Sequence, residues 1–96
     1  MRPSEALARH RDAVRAIAES HHVHNVRVFG SSLHGTDKEG SDLDLLVEPT
    51  SETSLFDIGA IRHELKQLLG LPVDVLTPMA LPEKFRQRVL DEAVPV

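Results

Sequence analysis

The stretch VRVFGSSLHGTDKEGSDLDLLV, residues 26–47, decides the fold and carries most of the chemistry. Val26 and Val28 alternate around Arg27 within Asn25–Gly30, the period of a strand with one apolar face, and Gly30 ends it. From Ser31 to Ser41 the chain is rich in Gly, Ser and Thr, which predicts a short helical turn followed by a loop. The next strand starts at about Asp42. Its alternation sets Leu43, Leu45 and Val47 on one face and Asp42, Asp44 and Leu46 on the other, because successive side chains point to opposite sides. Two carboxylates therefore share a face.

Working outward, Pro3-Ser4 predicts a helix start, and Leu7, Val14, Ile17 and Ala18 recur at near-helical spacing toward Ser20. Downstream, Pro49 to Thr53 is a polar connection. Ser54 with Asp57 three residues on resembles a capping box, and Ile58, Ile61, Leu65, Leu68 and Leu69 form a helical stripe that Gly70 and Pro72 terminate. Val73–Thr77 reads as a third strand with Asp74 at its centre. Pro82 opens a last helix, in which Phe85, Val89 and Ala93 pack while Arg86, Arg88 and Glu92 stay in water. The order helix, strand, strand, helix, strand, helix predicts an α+β (α/β-like) domain with a small mixed sheet and flanking helices. The long helices should shield the hydrophobic face, leaving the face with Asp42, Asp44 and Asp74 toward a cleft.

Ninety-six residues suffice for one core, so residues 1–96 are expected to form a single domain. A hydrophobic content of 41% excludes a disordered tail. No apolar run approaches the ~20 residues that cross a bilayer and no secretion signal is evident, so a cytoplasmic protein is expected. With no cysteine, disulfides, thiolate zinc sites and cysteine nucleophiles are excluded, and any metal must sit on oxygen or imidazole. A net charge of -4 and three aromatic residues, Phe29, Phe56 and Phe85, argue against direct nucleic-acid binding, which needs a basic face and stacking platforms.

Asp42 and Asp44 can turn their oxygens to one magnesium ion, a hard cation that prefers oxygen ligands. Asp74 is the candidate third ligand, since a short apolar strand has no other reason to hold a buried charge. Gly30-Ser31, where a strand enters a turn, can present backbone N–H groups and a hydroxyl to a phosphate. Alone, that pair is a common turn; with the carboxylates at this spacing it reads as a site. Gly30 to Thr36 also approaches the P-loop pattern, but Thr36 stands where the lysine should be. His21, His22 and His24 lack further ligands for zinc and read as a solvated helix end, while His34 could touch phosphate or acceptor.

Gly30-Ser31, ten intervening residues and Asp42-x-Asp44 resemble the signature of the polymerase-beta-like nucleotidyltransferases, with Asp74 similar to that family's third carboxylate. The short chain is similar throughout to the minimal nucleotidyltransferase (MNT) antitoxins of HEPN/MNT toxin–antitoxin pairs. The resemblance implies a magnesium-dependent enzyme that transfers AMP from ATP to a tyrosine hydroxyl of a HEPN ribonuclease toxin and releases pyrophosphate. It implies a hetero-oligomer with that toxin. Gly30 and Ser31 would bind the triphosphate, Asp42 and Asp44 would hold one or two metals, and Asp74 would contact a metal and deprotonate the acceptor. Many relatives have Arg directly after Gly-Ser where this chain has Ser32, a phosphate contact that Lys38, Arg62 or Lys66 could supply. The competing readings are an inactive antitoxin that neutralises its toxin by binding alone, and transfer to RNA or a small molecule.

Overall fold

In the computed structural model, which describes residues 1–96, the chain runs α1 (Pro3–Glu19), β1 (Val23–Phe29), α2 (Ser31–His34), β2 (Leu43–Pro49), α3 (Leu55–Leu69), β3 (Val73–Leu76), a 3-10 turn (Pro78–Ala80), α4 (Glu83–Glu92) and β4 (Val94–Pro95). The sheet order is β3-β2-β1-β4. β1 runs antiparallel to β2 and β4, and β2 runs parallel to β3, so the sheet is mixed, as the sequence predicts.

β2 lies inside the sheet and is buried on both faces. Leu43, Leu45 and Val47 join Val26, Val28, Val73 and Val75 beneath the apolar stripes of α1 and α3, where Val14, Ile61 and Leu65 are fully buried. Leu46 points the other way, into a smaller cluster with Phe29, Leu81 and Val89 that α4 roofs. Fully burying a Leu or Ile side chain is worth about 1.5–3 kcal/mol, so the first cluster dominates stability and the second fixes α4. The acidic face is therefore only partly a cleft, because α4 occupies the rest of it.

Local chemistry accounts for the boundaries. Ser54 Oγ accepts from the Asp57 N–H (3.3 Å) while the Ser54 N–H donates to Asp57 Oδ2 (2.8 Å), the reciprocal cap expected at the start of α3. Gly70 ends α3 at φ 70°, a left-handed conformation that glycine adopts without a steric penalty. β1 begins at Val23, earlier than the expected Asn25, because a register shift between His24 and Arg27 absorbs the extra residues. Leu68 is 37% exposed at the margin of its stripe, and the expected packing of Phe85 is only partial at 38% exposure. Arg86, expected in water, is half-buried and donates to the Leu81 carbonyl (2.9 Å). β4 was not expected: two residues are too few to show a period, and its pairing to Arg27 and Val28 is a tertiary event.

Two of the three histidines at the α1–β1 junction, His21 and His22, have carboxylate partners. His21 pairs with Glu64, and His22 with Asp57 (3.4 Å) and Glu52 (3.5 Å), which matches a solvated helix end. No helix is long and apolar enough to cross a membrane.

Asp37 is a further anchor that the sequence reading missed. Its carboxylate is buried and accepts from the Ser4 N–H (2.8 Å) and Ser4 Oγ (3.0 Å), capping α1 from a loop 33 residues away. The Ser4 N–H and hydroxyl, with Arg2 nearby, hold this carboxyl below the usual carboxylate range despite its burial. This ties the loop between Gly30-Ser31 and Asp42 to the helix layer. Asp37→Ala is expected to destabilise the fold by about 1–2 kcal/mol in denaturant titrations near neutral pH. The deficit should shrink as pH falls below the unfolded value, where the parent carboxyl protonates as well.

Candidate active site

Asp44 of β2 and Asp74 of β3 occupy the same level of a parallel ladder. Their side chains leave one face from strands about 4.8 Å apart. Asp42 precedes β2 by one residue instead of lying on the strand, close enough for its charge to act on Asp44. Burial of Asp44, then repulsion from Asp74 and from Asp42, push its carboxyl up to about 6. Neither a hydrogen bond nor a cation relieves it. Asp74 is exposed, contrary to the burial expected from its apolar neighbours, because β3 is an edge strand that α4 leaves open. No three His, Cys, Asp or Glu side chains are drawn together into a ready-made metal cage, so Asp42, Asp44 and Asp74 stand as neighbouring charges.

A carboxyl whose folded pKa exceeds its unfolded value holds its proton more tightly when folded. It stabilises the fold at low pH, and that contribution is lost as pH rises from 3.8 through about 6. Asp44→Asn is neutral at every pH and should raise stability near neutral pH by on the order of 1 kcal/mol, allowing for solvent screening of a half-buried group. The gain should disappear in acid, as measured by melting temperature across a pH series.

Gly30 is fixed by Asp44. At φ 76°, ψ -151° it occupies a region that is essentially reserved for glycine. A Cβ built there would lie 2.5 Å from Asp44 Oδ2, because the Phe29↔Asp44 pairing brings the strand end directly against that carboxylate. Gly30→Ala should cost at least about 2 kcal/mol in unfolding experiments. Adding Asp44→Ala should return only part of it, since the clash goes and the backbone strain stays.

Ser31 opens α2 directly after this glycine. Ser32 Oγ is closed off from solvent and has no hydrogen-bond partner, so it presents nothing to a ligand. Beside Gly30 lies a cleft of about 420 Å³. Phe29, Gly30 and His34 form one wall, and Phe85, Arg88, Val89 and Glu92 of α4 form the other. His34 Nε2 meets Glu92 Oε2 at 3.1 Å across it. Lys38, Arg62 and Lys66 are absent from the walls: Lys38 is exposed in the loop, and α3 covers the opposite face of the sheet. Arg88, expected to be merely wet, is the arginine of the cleft. The sequence pattern groups Phe85 and Val89 with Ala93 and sets Arg88 and Glu92 in water, whereas Phe85, Arg88, Val89 and Glu92 together line the cleft.

Residues 7–96 match the nucleotidyltransferase domain family. A candidate protein adenylyltransferase of Methanocaldococcus jannaschii is 41% identical over 76 residues, 79% of this chain and 82% of that protein. The protein adenylyltransferase MntA of Thermococcus cleftensis is 36% identical over 80 residues, 83% of this chain and 81% of its own. A solved candidate minimal nucleotidyltransferase superposes with a TM-score of 0.86 at 39% identity, covering 97% of this chain and 95% of that one. The fold is shared with a toxin–antitoxin crystal structure containing AMP-PNP, at a TM-score of 0.74 and 17% identity over 88% of this chain and 69% of that one. With the family model spanning nearly all of the sequence and close relatives along most of it, this chain belongs to the nucleotidyltransferase domain family.

Proposed function

We propose that the chain transfers AMP from ATP to a hydroxyl of a partner protein, the acceptor being a tyrosine of a HEPN ribonuclease toxin. The observation that carries this reading is the level pairing of Asp44 with Asp74, Asp42 alongside, against a Gly30 that has no room for a side chain. Relatives named as protein adenylyltransferases favour AMP as the transferred group and a protein as the acceptor. The toxin–antitoxin neighbour with AMP-PNP supports a toxin as that partner.

Asp42, Asp44 and Asp74 fit a divalent cation in the chemistry of their donors, all hard oxygens, and in charge, since Asp44 is raised by burial and then by negative neighbours, whose repulsion a cation would offset. When bound, such as Mg2+, it neutralises triphosphate charge and favours departure of pyrophosphate. The chain's own residues do the rest. Gly30 lets the phosphates approach the strand end, and Ser31 offers a hydroxyl to them. Asp74, exposed at the sheet edge, is the group that an incoming acceptor reaches, and it takes the proton of the attacking hydroxyl. The acceptor oxygen bonds to the α-phosphorus as the bond to the β-phosphate oxygen breaks.

The test is the intact mass of the purified partner toxin after incubation with this protein, ATP and Mg2+. Added AMP is expected with the parent. Asp44→Asn should slow the transfer by at least about 100-fold while remaining folded. Inhibition of the toxin without added mass would replace this reading with an antitoxin that acts by binding alone, which the absence of Arg after Gly30-Ser31 favours. Transfer by Asp44→Asn at the parent rate would contradict the site.

A further inference from the structure

Gly30 belongs to two places at once: it lines the cleft, and the space where its Cβ would be is filled by the Asp44 carboxylate. The α4 wall of the cleft and Asp44 lie on the same side of the sheet, since Phe29, paired with Asp44, packs with Val89. The cleft beside Gly30 is thus open to a polyphosphate that reaches Asp44. The carboxylates at that end repel it, so the chain must supply positive charge farther along.

The sequence places no such group next to Ser31, because the following residue is Ser32, whose hydroxyl faces inward. No lysine or arginine other than Arg88 lines the cleft. Arg86 is held by the Leu81 carbonyl, and Arg62 and Lys66 ride on α3 behind the sheet. Within the cleft, Glu92 Oε2 lies 3.1 Å from His34 Nε2. Arg88 alone combines a place in the wall with a free guanidinium, as it enters none of the chain's salt bridges. The neighbouring Val89 is buried beneath α4 and fixes the helix that presents it.

We propose that Arg88 is the phosphate-binding cation of this site, gripping the terminal phosphates of a nucleoside triphosphate across the cleft from Gly30-Ser31. The assignment rests on the nucleotidyl-transfer reading and supplies the charge that its motif lacks. A planar guanidinium can donate two parallel hydrogen bonds to one phosphate, which a lysine cannot reproduce. The anchor comes from α4 and not from α2, so nucleotide affinity depends on how α4 is seated.

Calorimetric titration of Mg2+-ATP and of AMP into the parent, Arg88→Met and Lys66→Met tests this without requiring transfer. Arg88→Met should weaken ATP binding about 10- to 100-fold, leave AMP binding within about 3-fold, and keep the parent melting temperature because the side chain is exposed. Lys66→Met should bind as the parent does. Unchanged ATP affinity in Arg88→Met, or equal losses for ATP and AMP, overturns the assignment and leaves the nucleotidyl-transfer reading standing. A parent that binds no ATP overturns both.

Discussion

Unrelieved negative charge at the end of β2 is the constraint around which the rest of the molecule is arranged. Asp44 is half withdrawn from water beside Asp74 and Asp42, and its carboxyl rises to about 6 as a result. Charge crowding of this kind works against the folded state at neutral pH, so the apolar packing elsewhere must offset it. β2 does so directly. The strand that presents Asp44 also buries Leu43, Leu45 and Val47 under α1 and α3, and Leu46 under α4. The carboxylate is carried by the most thoroughly packed element of the chain, which keeps it in place against its neighbours' repulsion.

From that point the surrounding geometry follows by close approach. The antiparallel pairing of Phe29 with Asp44 brings the end of β1 onto the carboxylate, and only a residue without Cβ can turn there. The turn launches α2 over the sheet, and α4, seated on Phe29, Leu46 and Leu81, closes the other wall of the cleft. Asp37 ties the returning loop to α1 before the chain re-enters the sheet at Leu43. The proposed nucleotide site and the fold thus share the residues from Phe29 to Asp44.

Much of this was legible in the sequence. Val26 and Val28, the alternation through Leu43–Val47, the Ser54–Asp57 cap and the Gly70 stop are local signals, and each element they announce is present. Sharing of a face by Asp44 and Asp74 required only strand parity plus the parallel register. What could not be read depended on packing between distant segments. The exposure of Asp74 follows from β3 being an edge strand, and the role of Asp37 from a partner far along the chain. The two-residue β4 exists only because β1 offers it an edge. Arg88 looked like an ordinary solvated residue until the seat of α4 placed it opposite Gly30.

The most direct measurement is a carboxyl-carbon NMR titration of Asp44, carried out with and without Mg2+ and ATP. If three neighbouring carboxylates form the core of a cation-dependent site, Asp44 should titrate near 6 in the free protein and drop well below that value when cation and nucleotide are added. An Asp44 that titrates at 3.8 in the free protein and does not respond to Mg2+ and ATP would contradict both the charge crowding and the site built on it.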